Sequence, residues 1–330
     1  MSKILVIIPH FNKLSLLKEC IYHLECQSFK TFDIMIVDNG SDDGSAEYLF
    51  DISNKNSSIH YTLLNENMGF AYAVNKGLEY SINNNYDYSI LLNNDAFVQE
   101  DFVNKLYFSI MTSKNVFAVS SLMLRFDDKD KIDSFGDYYT LFGWSFQGHI
   151  GEDYRDIEND EEAFSACGGA AIYNNEIIKK IGGFDDKFFA YLEDIDISYR
   201  ARLNGYKILT CRAAKCYHLG SSTTGSKYNE FKVRISARNN IYLIFKNMPL
   251  IQILINSFPL FVGHIIKFVF FLFKGFGLDY FFGIVDGFRG LNLIEKAEFD
   301  KTKLFNYILI EFELIKNTFM YIINFVKRHI

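Results

Sequence analysis

Apolar and polar positions fall into alternating blocks along the first hundred residues. Lys3 to Pro9 (KILVIIP) is apolar almost throughout and reads as a buried strand, after which Leu14, Leu17, Ile21 and Leu24 recur at the three-and-four spacing of an amphipathic helix. FDIMIVD predicts a second strand, Asp43 to Phe50 a helix, IHYTLLNEN a strand, Ala71 to Tyr80 a helix, and YSILLNND a fourth strand. Short apolar strands alternating with helices imply right-handed crossovers, hence an α/β fold with a mostly parallel sheet flanked by helices. From Phe126 to Glu162 the period is lost, and FDDKD and EDYRDIENDEE read as a long loop or lid. CGGAAIY (Cys167 to Tyr173) restores a strand, and YKILTCRAAKCYHLGSS supplies one more, or a pair, ending at His218.

Bulk properties narrow the class. With 330 residues, 49% hydrophobic, 17% aromatic and only 3 prolines, the chain holds a large folded domain plus an appendage. Residues 1–245 carry 24 Lys and Arg against 33 Asp and Glu, whereas residues 246–330 carry 10 against 7. An acidic body argues against a nucleic-acid partner, while a basic, aromatic-rich tail suits an anionic membrane surface. The five cysteines, odd in number and without a CxxC pair, indicate neither a disulfide framework nor a zinc site and fit a reducing cytosol. KILVIIPH is too short to be a signal-peptide core, so nothing directs the chain to export.

In such sheets ligands collect at the carboxyl ends of the strands, and here those ends are acidic and amidic: VDNGSDDGS, NENMGFAYAVNKG and LLNNDA. Turn chemistry alone accounts for any single one of them. No Walker A loop and no GxGxxG is present, so a bound nucleotide is held another way. Asp38 is placed to accept a hydrogen bond from a pyrimidine imide, and Asp95 to hold Mg²⁺ or Mn²⁺ against a diphosphate, with His218 a tolerable Mn²⁺ ligand. Further along, FFAYLEDIDISYRARLNGY sets Glu193, Asp194 and Asp196 among apolar neighbours. Acids there either stabilise a helix N-terminus or include a general base.

Together IPHFN, VDNGSDDGS, ENMGFAYAVNKG, LLNNDA, GGFDDKFFAYLEDIDISYRARLNGY and YHLGSS resemble glycosyltransferase family 2, most of all its bacterial rhamnosyltransferase and galactofuranosyltransferase branch. The likeness covers roughly residues 3–245. It implies a GT-A fold, a nucleotide-sugar donor, a divalent cation and an inverting mechanism. By the same likeness Pro9, His10, Asn12 and Asp38 line the nucleotide pocket with Asn67 and Gly69 nearby. Asp95 closes the metal motif after Asn93 and Asn94, where other branches carry acids; His218 is the second metal ligand and Asp194 the base. Glu193 is expected to orient the acceptor sugar and Asp196 to cap the helix or fix the loop. Arg200 and Arg202 read as a solvated or ion-paired helix face, and Arg234 and Arg238 as either a diphosphate clamp or surface ion pairs.

These readings divide the chain into a catalytic domain, 1–247, and a helical, membrane-associating C-terminal region, 248–330. Leu250 to Phe273 is long enough to span a bilayer, but Gln252, Asn256, Pro259, Gly263, His264 and Lys267 gather on one side. That pattern predicts a helix lying in the membrane interface with Lys274 continuing its wet face. Lys303 to Ile330 repeats the pattern and ends on Lys327, Arg328 and His329, and its apolar side either packs on the catalytic domain or meets the membrane. The expected function is addition of a sugar to a lipid-linked or oligosaccharide acceptor in cell-surface polysaccharide synthesis, at the cytoplasmic face of the membrane. The rivals are a sugar-nucleotide nucleotidyltransferase, for which PHFNK offers only Lys13 as a triphosphate-binding cation, and a catalytically silent sugar-binding protein.

Overall fold

A computed structural model describes residues 2–220 and 228–329, with side chains to residue 327. Ser221 and Ser222 of the YHLGSS block, and the side chains of Arg328 and His329, lie outside the described residues. The first half runs β1 (Ile4–His10), α1 (Leu14–Glu25), β2 (Asp33–Asp38), α2 (Ser45–Lys55), β3 (Ile59–Leu63), α3 (Phe70–Asn83), β4 (Tyr88–Leu92), β5 (Ala96–Val98), α4 (Phe102–Ile110) and β6 (Val116–Arg125). Three short strands follow, β7 (Ile132–Ser134), β8 (Asp137–Tyr139) and β9 (Ser145–Gln147), then β10 (Ala170–Asn174), α5 (Asn175–Ile181), α6 (Glu193–Leu203) and β11 (Lys207–His218). The remainder is helical: α7 (Glu230–Asn247), α8 (Leu250–Ile255), α9 (Ser257–Phe273), α10 (Gly277–Arg289) and α11 (Leu304–His329).

The main sheet has the order β3-β2-β1-β4-β10-β6-β11-β5, with β7 added to β6. Strands β3, β2, β1 and β4 are parallel, as the alternating pattern predicts. The sheet as a whole is mixed, because β10 runs antiparallel to both β4 and β6 and β5 antiparallel to β11. The apolar run of β1 has its cause in this arrangement: Leu5 and Ile7 face α3 with Met35, Val37, Val74 and Leu78, while Ile4, Val6 and Ile8 meet Leu17, Ile21 and Leu24 of α1 on the other side. A strand covered on both faces needs no polar alternation.

The segment read as a loop or lid is instead packed structure. Ile132, Phe135 and Tyr139 are fully buried, and β8 pairs with β9. Three-residue strands are too short to print a period on the sequence.

The tail also departs from expectation. The 250–273 stretch breaks at Asn256, and its polar stripe faces the protein: Gln252 Nε2 and Asn256 Nδ2 donate to Glu311 of α11 at 2.8 and 2.9 Å, and Trp144 Nε1 donates to the Gly263 carbonyl. Its apolar side, with Leu250, Ile255, Phe258 and Phe261, is exposed. The sequence period fixes the two faces of a helix but not which one turns inward. Helix α11 takes the packed alternative, burying Ile310 and Leu314 in the main core while exposing Phe305, Phe312 and Phe319. It is tied down by Asn317 Nδ2 to the Tyr139 carbonyl (3.0 Å) and by Arg202 to Glu313 (2.5 Å). Helix α10 presses on α7 through Gly283 and Gly287, where an added Cβ would fall 2.3 Å from the Arg234 carbonyl oxygen and 2.7 Å from Ile241 Cβ. Among the described residues no helix is long and apolar enough to cross a membrane.

Candidate active site

The carboxyl ends of β1 and β2 form one wall, with His10 opposite Asp38 in register and Pro9 opposite Val37. His10 is buried, and both ring nitrogens are engaged: Asn94 Nδ2 donates to Nδ1 (2.8 Å), which leaves the proton on Nε2 to donate to Ser45 Oγ (2.8 Å). Ser45 in turn donates to Asp43. Burial holds the His10 imidazole below its ordinary pKa despite the charges of Asp38 and Asp43, so a neutral ring knits β1, α2 and the β4–β5 turn together. Asp38 accepts the Ser41 N–H on Oδ1 at 2.7 Å, while its Oδ2 is buried with no hydrogen-bond partner among the described residues. A buried acceptor left unpaired is costly unless a ligand supplies the donor.

The loops after β1, β2 and β3 are laced to each other. Asn12, in a left-handed conformation (φ 55°), accepts the Asp42 N–H on its side chain. Asn39, which the sequence reading passed over, donates to Asn67 Oδ1 (3.0 Å) and the Gly69 carbonyl (3.1 Å) and accepts the Met68 N–H. Gly69 has φ 91°, and a Cβ there would stand 2.6 Å from the Phe189 carbonyl oxygen and ring. Only glycine allows the loop before α6 to lie so close.

The β4–β5 turn carries the second group. Asp95 Oδ1 lies 3.3 Å from His218 Nε2 at the end of β11, and Asp133 Oδ2 accepts from His218 Nδ1 at 2.7 Å. Burial lowers the affinity of His218 for a proton, but the hydrogen bonds to Asp133 and Asp95 outweigh it and push its pKa up to about 10. Asp133 was missed in the sequence because it sits in the aperiodic segment. Asn93 donates its backbone N–H to the Gly169 carbonyl (2.8 Å), and a Cβ on Gly169 would come 3.1 Å from the Asn93 side chain.

The opposite wall is the first turn of α6. A Cβ on Gly168 would lie 3.9 Å from Asp194 Cβ and 3.4 Å from the Phe70 ring, so the two glycines are a thin seam between Asn93 and Asp194. Asp194 is partly exposed, its Oδ1 accepting the Ile195 N–H at 2.8 Å. Burial raises its pKa, opposed by backbone N–H groups of Ile195 and Gly168. Carboxylate oxygens of Asp137 and Asp194 and the Cys167 sulfur lie within 4.8 Å of one another. Burial and then the charge of Asp194 push Asp137 and Glu193 well above the usual carboxylate range. Of the three acids, Asp194 is the least buried. Glu193 is buried, with Oε2 unpartnered among the described residues.

Asp196 is fully buried and serves the fold. It binds Arg200 (2.9 Å), Lys246 (3.1 Å) and Asn247 (2.8 Å), and although burial would raise its pKa, those cations hold it low. Arg200 also donates to the carbonyls of Ile181, Gly182 and Gly183, and Arg202 to those of Ala163 and Phe164. Arg234 pairs with Asp286 on the surface. Arg238 donates to the carbonyls of Lys187 and Phe188 and to Asn239 Oδ1, which places it at the loop leading into α6.

A mixed sheet with acids and amides at its strand ends and a histidine returning beside an aspartate has the architecture of a GT-A glycosyltransferase. Residues 5–182 match the family described as Glycosyl transferase family 2, and the chain belongs to that family. It is 27% identical over 158 residues to Glycosyltransferase GlyA of Streptococcus pneumoniae serotype 4, covering 48% of this chain but 21% of that protein's length. In fold it resembles GalNAc-T7, solved with UDP, GalNAc and Mn²⁺ (TM-score 0.59, 14% identity, 74% of this chain and 48% of the other). It also resembles the mannosyltransferase PcManGT of Pyrobaculum calidifontis, solved with GDP-Man and Mn²⁺ (TM-score 0.53, 14% identity, 88% and 86%).

Proposed function

We propose that the chain transfers a sugar from a nucleoside-diphosphate donor, of the UDP-sugar or dTDP-rhamnose kind, to a saccharide acceptor with inversion at the anomeric carbon. The observation that carries this reading is the Asp95–His218 pair at 3.3 Å, joined by the Gly168–Gly169 seam to Asp194. The Asp95 oxygen and His218 nitrogen lie close enough to share one cation, and an oxygen and an imidazole donor suit Mg²⁺ or Mn²⁺. Asp133 holds the imidazole so that Nε2 is the coordinating nitrogen. Asp95 and His218 would hold such a cation, which would supply positive charge for a departing diphosphate.

The remaining roles belong to side chains alone. The unpaired Oδ2 of Asp38 suits the imide N–H of uracil or thymine, with the loop of Asn67 and Gly69 beside it. Asp194 takes the proton of the attacking hydroxyl, its affinity for that proton raised by burial. Single displacement needs one such base; retention would call for a carboxylate nucleophile as well. Glu193 Oε2, without a partner among the described residues, is left to hydrogen-bond an acceptor-sugar hydroxyl. The exposed apolar faces of α8, α9 and α11, on a net basic tail, support a peripheral position on the cytoplasmic membrane face, with a lipid-linked acceptor in polysaccharide synthesis.

A thermal-shift screen of nucleotide sugars with and without Mn²⁺ tests the donor site, and one class of donor should raise Tm only with the metal. Asp194→Asn should abolish transfer while donor binding survives; substantial residual turnover overturns the base assignment. Flotation with anionic liposomes tests the membrane reading, which fails if the intact chain stays at the bottom of the gradient.

A further inference from the structure

The loop that delivers Asp194 is held in an uncommon conformation. Phe189 (φ 63°, ψ −63°) forms a γ-turn in which the Ala190 N–H reaches back to the Phe188 carbonyl at 2.7 Å, a rare and strained geometry. Tyr191 (φ 71°) and Leu192 (φ 69°, ψ 0°) are also left-handed, and none of the three is glycine. Glu193 and Asp194 follow at once, so the path of these residues sets where the first turn of α6 begins. Backbone in such a state persists only when its surroundings over-determine it.

The surroundings are the side chain of Asn239, on α7, nearly fifty residues away in sequence. Its amide is completely buried, and the two N–H groups of Nδ2 are shared among three carbonyls of the loop: Phe188 (2.8 Å), Ala190 (2.8 Å) and Tyr191 (2.7 Å). Its Oδ1 accepts from Arg238 Nε (3.0 Å) and Nη2 (2.9 Å), and the same Nη2 donates to the carbonyls of Lys187 and Phe188. Donors on one end and an acceptor on the other leave a single sensible orientation of the amide. On its far side the loop rests on the donor wall, with the Phe189 carbonyl accepting the Ala71 N–H and the ring lying over Gly69.

We propose that Asn239 is the positioning residue for the base: it holds the 188–192 turn, and through it Asp194, in the reactive arrangement, with Arg238 orienting its amide. The inference rests on the reading of Asp194 as base. It assigns Asn239 an effect on the rate of transfer and little effect on donor binding, because its contacts fall on the loop and none of them on Asp38 or Asp95.

The experiment compares wild type, Asn239→Asp and Asn239→Ser, with Asp194→Asn in parallel. Turnover is followed as nucleoside-diphosphate release from UDP- and dTDP-sugars with Mn²⁺ and octyl glycoside acceptors, nucleotide affinity by titration with UDP and dTDP, and backbone order by hydrogen exchange. Asn239→Asp puts an acceptor against three carbonyls, and kcat should fall on the order of 100-fold, the scale of a small misplacement of a reacting group. Nucleotide Kd should stay within about threefold, and exchange should quicken over residues 188–196 and not at the ends of β1 and β2. Adding Leu192→Gly should restore part of kcat, since glycine takes up that backbone unaided. The serine variant keeps a donor in less space and should show the same pattern more weakly, so the comparison survives if the aspartate variant does not fold. Unchanged kcat and exchange, or nucleotide affinity lost in step with kcat, overturns the proposal. Should Asp194→Asn keep its turnover, the base assignment fails instead, whatever Asn239 does.

Discussion

Replacing Asp133 by asparagine should flatten the pH dependence of divalent-cation binding. Both ring nitrogens of His218 face carboxylates, Asp133 at 2.7 Å and Asp95 at 3.3 Å, and these push its pKa up to about 10 against the pull of burial. A cation that coordinates Nε2 must displace the proton there. For a group titrating about three pH units above neutrality that costs about 4 kcal/mol at pH 7, and the cost falls as pH rises. Wild-type affinity for Mn²⁺ should therefore climb about tenfold per pH unit between roughly pH 6 and 8. The Asp133→Asn amide keeps an acceptor for Nδ1–H but removes one charge, so His218 loses its proton at lower pH and the climb ends sooner. On the plateau the variant should bind about 10–100-fold more weakly than wild type at its own limit, the usual loss when a carboxylate behind a metal-bound histidine is removed. Isothermal titration with Mn²⁺ at saturating UDP, at three pH values, measures both slopes. A flat wild-type profile, or a variant as steep as wild type, would refute the reasoning.

Other outcomes follow from the same geometry. Without metal, the raised pKa of His218 contributes stability that is full below about pH 6.5 and is lost as pH rises towards about 10, so His218→Gln should lower Tm at pH 6 more than at pH 9. Gly69→Ala forces a Cβ to 2.6 Å from the Phe189 carbonyl at φ 91°; strain and overlap together should cost about 2–6 kcal/mol, read as a drop in Tm of several degrees or, if the 188–192 loop yields, as lost turnover. Asp137→Asn should keep neutral-pH turnover within about threefold of wild type, because burial and Asp194 already favour its uncharged form. A loss as deep as that of Asp194→Asn would place the base elsewhere. Asp196→Ala strands the largely buried Arg200 and Lys246 and should destabilise the fold by about 3–5 kcal/mol in urea melts.

What the sequence revealed and what it hid divide along physical lines. Elements β1 to β4 and α1 to α3 were legible because each is long enough to repeat its period and is covered on known faces. Asp38, Asp95 and His218 were legible as strand-end residues and as members of ordered motifs. Asp133 and Asp137 were not, since they sit on strands of three residues in a segment that looks like a loop. Asn239 was hidden for another reason: its partners are backbone carbonyls distant in sequence, and no residue pattern records a carbonyl. The tail misled through orientation, its polar stripe finding Glu311 rather than water.

Helix α11 fills the space between β8 and α6, with Leu314 fully buried beside residues of the catalytic core. On a ribosome, then, this part of the core cannot close until that helix has emerged. The apolar outer surface of the same helix, with Phe305, Phe312 and Phe319, emerges with it, so closing the core and displaying that surface are tasks of one and the same stretch of chain.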